Sequence, residues 1–334
     1  MATIKDVAEH AQVSRATVSR VLNNTGQVTE STRDRVNAAI KVLDYRPNPV
    51  AQSLACNTTN TIGLMVSSFR GGFFGDLMAQ VQQVADTAGK VMIVTQGKHS
   101  AECERAALEH LMNMRCDGLL LHVRYLSDEE LIEMAEKMPP FVLLDRYIEA
   151  LADRCVTFDH IAAGEQAVQV LIDQGHSHIA CLAGKLFKEN ARQRFQGYAN
   201  KLEEKDIQLD MELVTEGDYD RDSGYRGMKQ ILSTGKPVTA VYACSEEMAV
   251  GCMDALRELN MKVPDDISLI SYDSVDLCTF LTPHVSALHF PITEMASVAG
   301  TLLMSQMHID GFNRPVQQHF KGELRIRQSV KQPL

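Results

Sequence analysis

Residues 13–24, "VSRATVSRVLNN", carry side chains whose types and spacing suit one kind of chemistry. Arg15, Ala16, Thr17, Ser19 and Arg20 would face outward from a helix whose inner positions are Val18, Val21 and Leu22, spaced i, i+3, i+4. Arg pairs with guanine edges and phosphate, Ser and Thr reach bases or phosphate, and Ala meets a thymine methyl. DNA binding is therefore one reading of this face; a solvated surface on a small helical bundle is the other. Catalytic patterns are missing. There is no Gly-rich phosphate loop, no Rossmann fingerprint and no G-x-S-x-G elbow. His99 and Cys103 in "HSAECERA" resemble a thiol–imidazole pair, but Cys103 falls inside a predicted helix and no third group orients it. The expectation is a protein that is not an enzyme, with no catalytic residues, cofactor or metal.

The elements that would position the polar face are short helices. Thr3 can cap a helix with Asp6 as its capping-box partner, and Val7, Ala8 and Ala11 form the apolar face. The turn "AQVS" leads to Ser14, a cap for the second helix. Thr29 opens a third, with Val36, Ala39, Ile40 and Leu43 facing inward. Two helices joined by so short a turn make a helix-turn-helix. "NPVAQSLACNTT", residues 48–59, follows, with Asn48 as cap and Pro49 at the first helical position. A helix of about seven residues is marginal alone, so this one needs DNA or a partner chain. Leu54 is its exposed apolar residue, suited to wedge into a minor-groove step.

From Thr61 the pattern becomes alternating strand and helix. Strand candidates are "TIGLMVS", "KVMIVTQ", "DGLLLHV", "FVLLDR", "CVTFD", "HIACLAG", "AVYAC", "ISLISYD" and "VSALHF". Helices are expected at 75–89, 101–114, 160–175, 190–204 and 245–260. Continuous apolar runs suit parallel strands covered on both faces. So many strands imply two sheets in two lobes, with ligand between them at the strands' carboxyl ends.

Composition agrees. The 334 residues have a net charge of −10. Residues 1–60 hold seven Lys/Arg against five Asp/Glu, and the remainder is strongly acidic, so only the head suits a polyanion. Eight cysteines, at 56, 103, 116, 155, 181, 244, 252 and 278, form no C-x-x-C pair and read as reduced core thiols. No apolar run reaches membrane-span length, and the N-terminus has no signal core. A cytoplasmic protein is expected, nucleoid-associated when bound to DNA.

The ordered strings "ATIKDVAEHAQVSRATVSRVLNN", "YRPNPVAQSLA", "QGHSHIACLAG", "RFQGY" and "VPDDISLISYD" resemble the lactose/galactose repressor family from Ala2 to about Arg327. "QGKHSAECERAALEHLMNMRCDGLLLH" and "MPPFVLLDR" are most similar to its galactose and β-glucoside repressor subgroup. The resemblance implies a repressor that binds a palindromic operator as a homodimer and responds to a small sugar, a galactoside or β-glucoside. A non-sugar or phosphosugar effector is the alternative. Its implied layout is a helix-turn-helix head at 1–46 and a hinge helix and linker at 47–59. One lobe spans 60–158 with 291–317, and the other spans 159–290 with 318–330. DNA contact falls on Thr3, Ser14, Arg15, Ala16, Thr17, Ser19 and Arg20, with Asn23, Thr29 and Tyr45 as backbone clamps and Ala51 and Leu54 in the hinge. Effector contact falls on Phe73, Phe74, His122, Asp145, Arg194, Tyr219, Ser245, Asp273 and Phe290. Some of these have a plainer reading: Asp145–Arg146 as an ion pair, Phe73 and Phe74 as core, Tyr219 as a surface loop residue.

The sequence departs from the family at three places. Gln12 stands where relatives often carry Gly, Ser245-Glu246 replaces Asn-Asp, and Asp273-Ser274 replaces Asp-Asp. The last residues lack leucine heptads, so a dimer is expected.

Overall fold

A computed structural model of the chain describes residues 2–22, 26–45, 58–273 and 276–333, without the side chain of Asp273. The expected hinge helix, with Ala51 and Leu54, lies outside the described residues, as do Asn23 and Cys56. The chain divides into two units, Met1–Asn60 and Thr61–Leu334.

The head has three helices: α1 (Ile4–His10), α2 (Arg15–Leu22) and α3 (Glu30–Val42). Thr3 and Asp6 close the capping box on α1, each side chain meeting the other's backbone N–H, at 3.4 and 2.7 Å. Ser14 Oγ accepts from Thr17 N at 3.1 Å and caps α2. Val7, Ala8, Ala11, Val18, Val21, Val36 and Ala39 make the core. Gln12 turns the chain between α1 and α2 with φ 51°, a left-handed conformation that costs a side-chain residue about 1–2 kcal/mol.

The body is built on two six-stranded sheets. In sequence its elements are β1 (Thr61–Val66), α4 (Gly72–Thr87), β2 (Val91–Gln96), α5 (Ala101–Asn113), β3 (Gly118–Leu121), α6 (Asp128–Ala135), β4 (Phe141–Leu144), β5 (Cys155–Phe158) and α7 (His160–Asp173). Then come β6 (Ile179–Gly184), α8 (Glu189–Glu204), β7 (Val214–Gly217), α9 (Arg221–Ser233), β8 (Ala240–Ala243), α10 (Glu246–Glu258), β9 (Ser268–Asp273), β10 (Ser286–His289), α11 (Ile292–Gln306), β11 (His319–Phe320) and β12 (Glu323–Arg325). The first sheet runs β11-β5-β4-β3-β1-β2 and the second β12-β10-β9-β8-β6-β7. Every pairing is parallel except β10 with β12. β3, β4, β6 and β8 are buried along their whole length, because helices cover both sheet faces.

The chain passes between lobes three times: after β5, after β10, and between β11 and β12. The last crossing corrects the expected boundary. His319 and Phe320 pair with Thr157 and Phe158 of the first sheet, so residues 318–330 do not all belong to the second lobe. A two-residue strand offers no periodic signal by which to place it. Among the described residues six cysteines are buried and Cys103 is half-buried. No helix among the described residues is long and apolar enough to cross a membrane.

Candidate functional site: a recognition helix and an interlobe cleft

On the head, Arg15, Ala16 and Arg20 are exposed on α2, and Thr17 and Ser19 are half-buried on the same helix. α2 carries no acidic residue in its first turn and has Arg20 in its last turn. The other expected contacts have local structural work. Thr3 and Ser14 cap helices, Thr29 Oγ1 bonds Thr32 Oγ1 at 2.9 Å, and Tyr45 packs on the head core. Thr3 Oγ1 also donates to Asp6 Oδ2 at 2.9 Å, and Ser14 Oγ shares a hydrogen bond with Thr17 Oγ1 at 2.9 Å.

In the body, a cleft of about 690 Å³ opens where the carboxyl ends of both sheets face each other. Phe73, Phe74, His122 and Asp145 come to it from the first lobe; Arg194, Tyr219, Ser245 and Phe290 come from the second. The fold thus brings together the expected effector residues whose side chains are described. The plainer readings fare differently. Asp145 does not pair with Arg146, which bonds Asp128 at 2.6 Å. Phe73 and Phe74 pack on the core and also face the cleft. Tyr219 is an inward-facing ring, not a surface one: its hydroxyl is buried without a partner. Ser245 caps α10, accepting from Met248 N at 3.2 Å.

A hydrogen-bond chain crosses the cleft floor. The Asp145 carboxylate is ion-paired with Arg124 and accepts from His160 Nε2 at 2.9 Å. Arg124 Nη1 also donates to the Asp145 carbonyl at 2.5 Å. Arg194 Nε donates to His160 Nδ1 at 3.2 Å, and its Nη1 donates to the Cys244 carbonyl at 2.6 Å. A guanidinium only donates, so His160 Nδ1 is the acceptor and Nε2 carries the proton. The same reasoning applies to His122. Its Nε2 faces Arg124 Nη2 at 2.7 Å, so its proton sits on Nδ1, 2.9 Å from Ser67 Oγ. Both rings are neutral. Burial, reinforced by neighbouring arginines, pushes both histidines below their ordinary range, His122 furthest. Burial opposes the charge on Asp145, but His160 and Arg124 outweigh it and hold the acid well below the usual carboxylate range.

Rings wall the cleft. Phe73 and Phe74 meet edge-to-face at 5.0 Å, Phe290 stacks on His160 at 5.6 Å, and the Arg194 guanidinium lies 4.1 Å from the Tyr272 centroid. Gly184 makes room for Tyr219: a Cβ there would come within 2.3 Å of its ring. Asn190 Oδ1 also faces the site without a partner. At the rim, Glu247 lies against Gly71 of the opposite lobe.

Several cleft residues escape sequence reasoning. Arg124, Tyr125 and His160 sit just after β3 and β5, where the rule for parallel sheets places ligand loops; their positions were a usable signal. Glu104 gave no such signal. Its carboxylate is buried in α5, far in sequence from the loop it holds. It accepts from Arg124 N at 2.7 Å and from Tyr125 N and Leu126 N at 2.9 Å each.

Residues 3–48 match the family described as bacterial regulatory proteins, lacI family, and residues 168–330 match the periplasmic binding protein-like domain. The chain is 36% identical to the HTH-type transcriptional regulator GalR of Escherichia coli, over 100% of this chain and 97% of that protein. The chain belongs to the LacI family of bacterial transcriptional regulators. Two solved structures are similar over nearly its whole length. One is the lac repressor dimer bound to operator and the anti-inducer ONPF, with TM-score 0.86 and 30% identity over 99% of each chain. The other is a CelR–cellobiose complex, with TM-score 0.72 and 29% identity over 99% of this chain and 100% of that one. As a LacI-family member this is a DNA-binding regulator whose head is the helix-turn-helix and whose body is the two-lobed α/β fold.

Proposed function

We infer that this chain is a homodimeric repressor, not an enzyme, that reads a palindromic operator and is switched by a small sugar in the cleft. α2 supplies base readout through Arg15 and Ala16, with Thr17, Ser19 and Arg20 beside them. Thr3, Ser14, Asn23, Thr29 and Tyr45 hold phosphates, and Ala51 and Leu54 act in the hinge. The observation that carries the effector half is the chain from Asp145 to His160 and Arg194. It joins residues of opposite lobes in the floor of the cleft, so whatever bonds there acts on both lobes at once.

The chemistry suits a sugar. Phe73, Phe74, Tyr219 and Phe290 offer apolar faces to a pyranose. Asp145 and Arg194 keep their charges for hydroxyls. Tyr219 and Asn190 have polar atoms still to be satisfied. His122 and Ser245 line the same space, and Asp273 ends the adjacent strand. The similar proteins caught with operator or with cellobiose support both halves. Such a regulator acts in the cytoplasm, on the nucleoid.

The test is operator selection from random duplexes by the purified chain, with and without galactosides and β-glucosides. Exchanging the side chains at Arg15 and Ala16 shifts the selected palindrome. An unchanged selection refutes this docking of α2, and indifference of the selected complex to every sugar refutes the effector class.

A further inference from the structure

Of the five cations that line the cleft, Arg124, Arg194 and Lys188 differ in what they hold. Arg124 donates to Asp145 and His122, and Arg194 gives Nε to His160 and Nη1 to the Cys244 carbonyl. Lys188, at the start of α8, is buried at 8% exposure and lines the same cleft. Among the described residues no carboxylate comes within ion-pair distance of its Nζ, and no hydrogen-bond acceptor meets it. The ammonium instead lies over two ring faces, 5.3 Å from the Tyr125 centroid and 5.8 Å from that of Phe187. Tyr125 belongs to the first lobe and Phe187 to the second, their rings 5.6 Å apart.

A buried ammonium is costly unless it is paired. Cation–π contact offsets part of that cost and none of its three N–H donors. Burial accordingly lowers the Lys188 pKa from the ordinary lysine value. Asp218 is the carboxylate whose field favours its charge most, but Asp218 is exposed to solvent and does not pair with it. A cation held among ring faces, open to a ligand cleft and short of an acceptor is suited to an anion that arrives with the ligand.

We propose that the effector is an anionic sugar, whose phosphate or carboxylate pairs with Lys188 Nζ while its ring lies against Phe73, Tyr219 and Phe290. This rests on the sugar reading of the cleft and narrows it. The anion at Lys188 touches both lobes, through Lys188 itself and through Tyr125.

The experiment is calorimetric titration of the full chain with glucose and galactose, with their 6-phosphates, and with glucuronate and galacturonate. At least one anionic member should bind about tenfold or more tightly than its neutral parent. The phosphate and carboxylate arms identify which anion is used. Lys188→Gln should remove that preference and leave the neutral parent's weaker binding in place, and Lys188→Arg should retain it. The unfolding temperature without ligand checks that the variants fold, and Lys188→Met, which also removes the charge, takes the place of the glutamine variant if that one does not. Neutral sugars binding as tightly as anionic ones, or a preference that survives Lys188→Gln, overturns the proposal and leaves the sugar reading standing. Silence from every member of the three series overturns both.

Discussion

Replacing Arg124 by Met and Asp145 by Leu, singly and together, tests whether the cleft floor is one coupled unit. Both side chains are nearly inaccessible, at 7% and 2%. Removing one partner of such a pair strands the other and costs about 3–5 kcal/mol. Arg124→Met belongs at the low end, because Asp145 keeps the donation from His160 at 2.9 Å. Asp145→Leu belongs higher, because both Arg124 and the His160 N–H lose their acceptor. The double variant restores charge balance and leaves the His160 N–H without its acceptor and His122 Nε2 without its donor. With singles near 3 and 4 kcal/mol and a double near 4, the coupling is about 3 kcal/mol. Near-UV circular dichroism in a urea or thermal series follows the body well, since the chain has no Trp and Tyr198, Tyr242 and Tyr272 are buried there. Each single variant should lower the body's transition by about 10 °C. The pH dependence has a fixed sign. Asp145 has its pKa depressed by folding, so its contribution is present above its unfolded value and lost as pH falls through the lower folded one. The gap between wild type and Asp145→Leu therefore holds from neutral pH down to about 4 and closes below it. Strict additivity of the two single effects, with coupling under about 0.5 kcal/mol, refutes the coupled chain.

Other positions give sharper single readouts. Glu104→Ala leaves three backbone N–H groups of the 124–126 loop without their acceptor and should destabilise the body by about 2–4 kcal/mol in urea unfolding; a loss under about 1 kcal/mol means that the loop holds itself. Gly184→Ala pushes a methyl into Tyr219, so effector affinity measured calorimetrically should drop well beyond any change in unfolding temperature; unchanged affinity removes Tyr219 from the site. Gln12→Gly relieves the left-handed turn in the head and should stabilise that unit by about 0.5–1 kcal/mol in thermal unfolding; a destabilised head shows that the Gln12 side chain contributes more than its backbone strain costs.

The parts of the fold written in long periodic runs were legible from sequence. "HIACLAG" contains β6 and "DGLLLHV" contains β3, because both carry an unbroken apolar run between helices. β7, in "VTEG", has an exposed Glu216 and lies at the sheet edge, so it lacks that run. α9 contains Gly224 and Gly227, poor helix formers; they are there because Met248 and Thr215 approach too closely for a side chain. The polar face of α2 was readable since it depends on one helix. The floor of the cleft was not: Glu104, Arg124, His160 and Lys188 are ordinary polar residues in sequence, and their roles come from contacts between segments far apart in the chain. The family resemblance located Asp145 and Arg194, while the groups that hold them in place needed the folded chain.

The crossings between lobes give the cleft a depth axis with meaning. Two of them bracket the floor, for His160 follows one and Phe290 precedes another, and the two rings stack on each other. Rotation of one lobe on the other moves atoms near such a pivot little and atoms at the rim most, so Lys188, Tyr125, Glu247 and Gly71 travel furthest. A ligand shifts an equilibrium only through its difference in affinity for the two states. The deep end of an effector therefore contributes grip that is nearly the same in either state, and the rim end sets the direction of the response. Two molecules that share a buried ring and differ only in their outer substituent can then compete equally for the protein and send opposite signals to DNA.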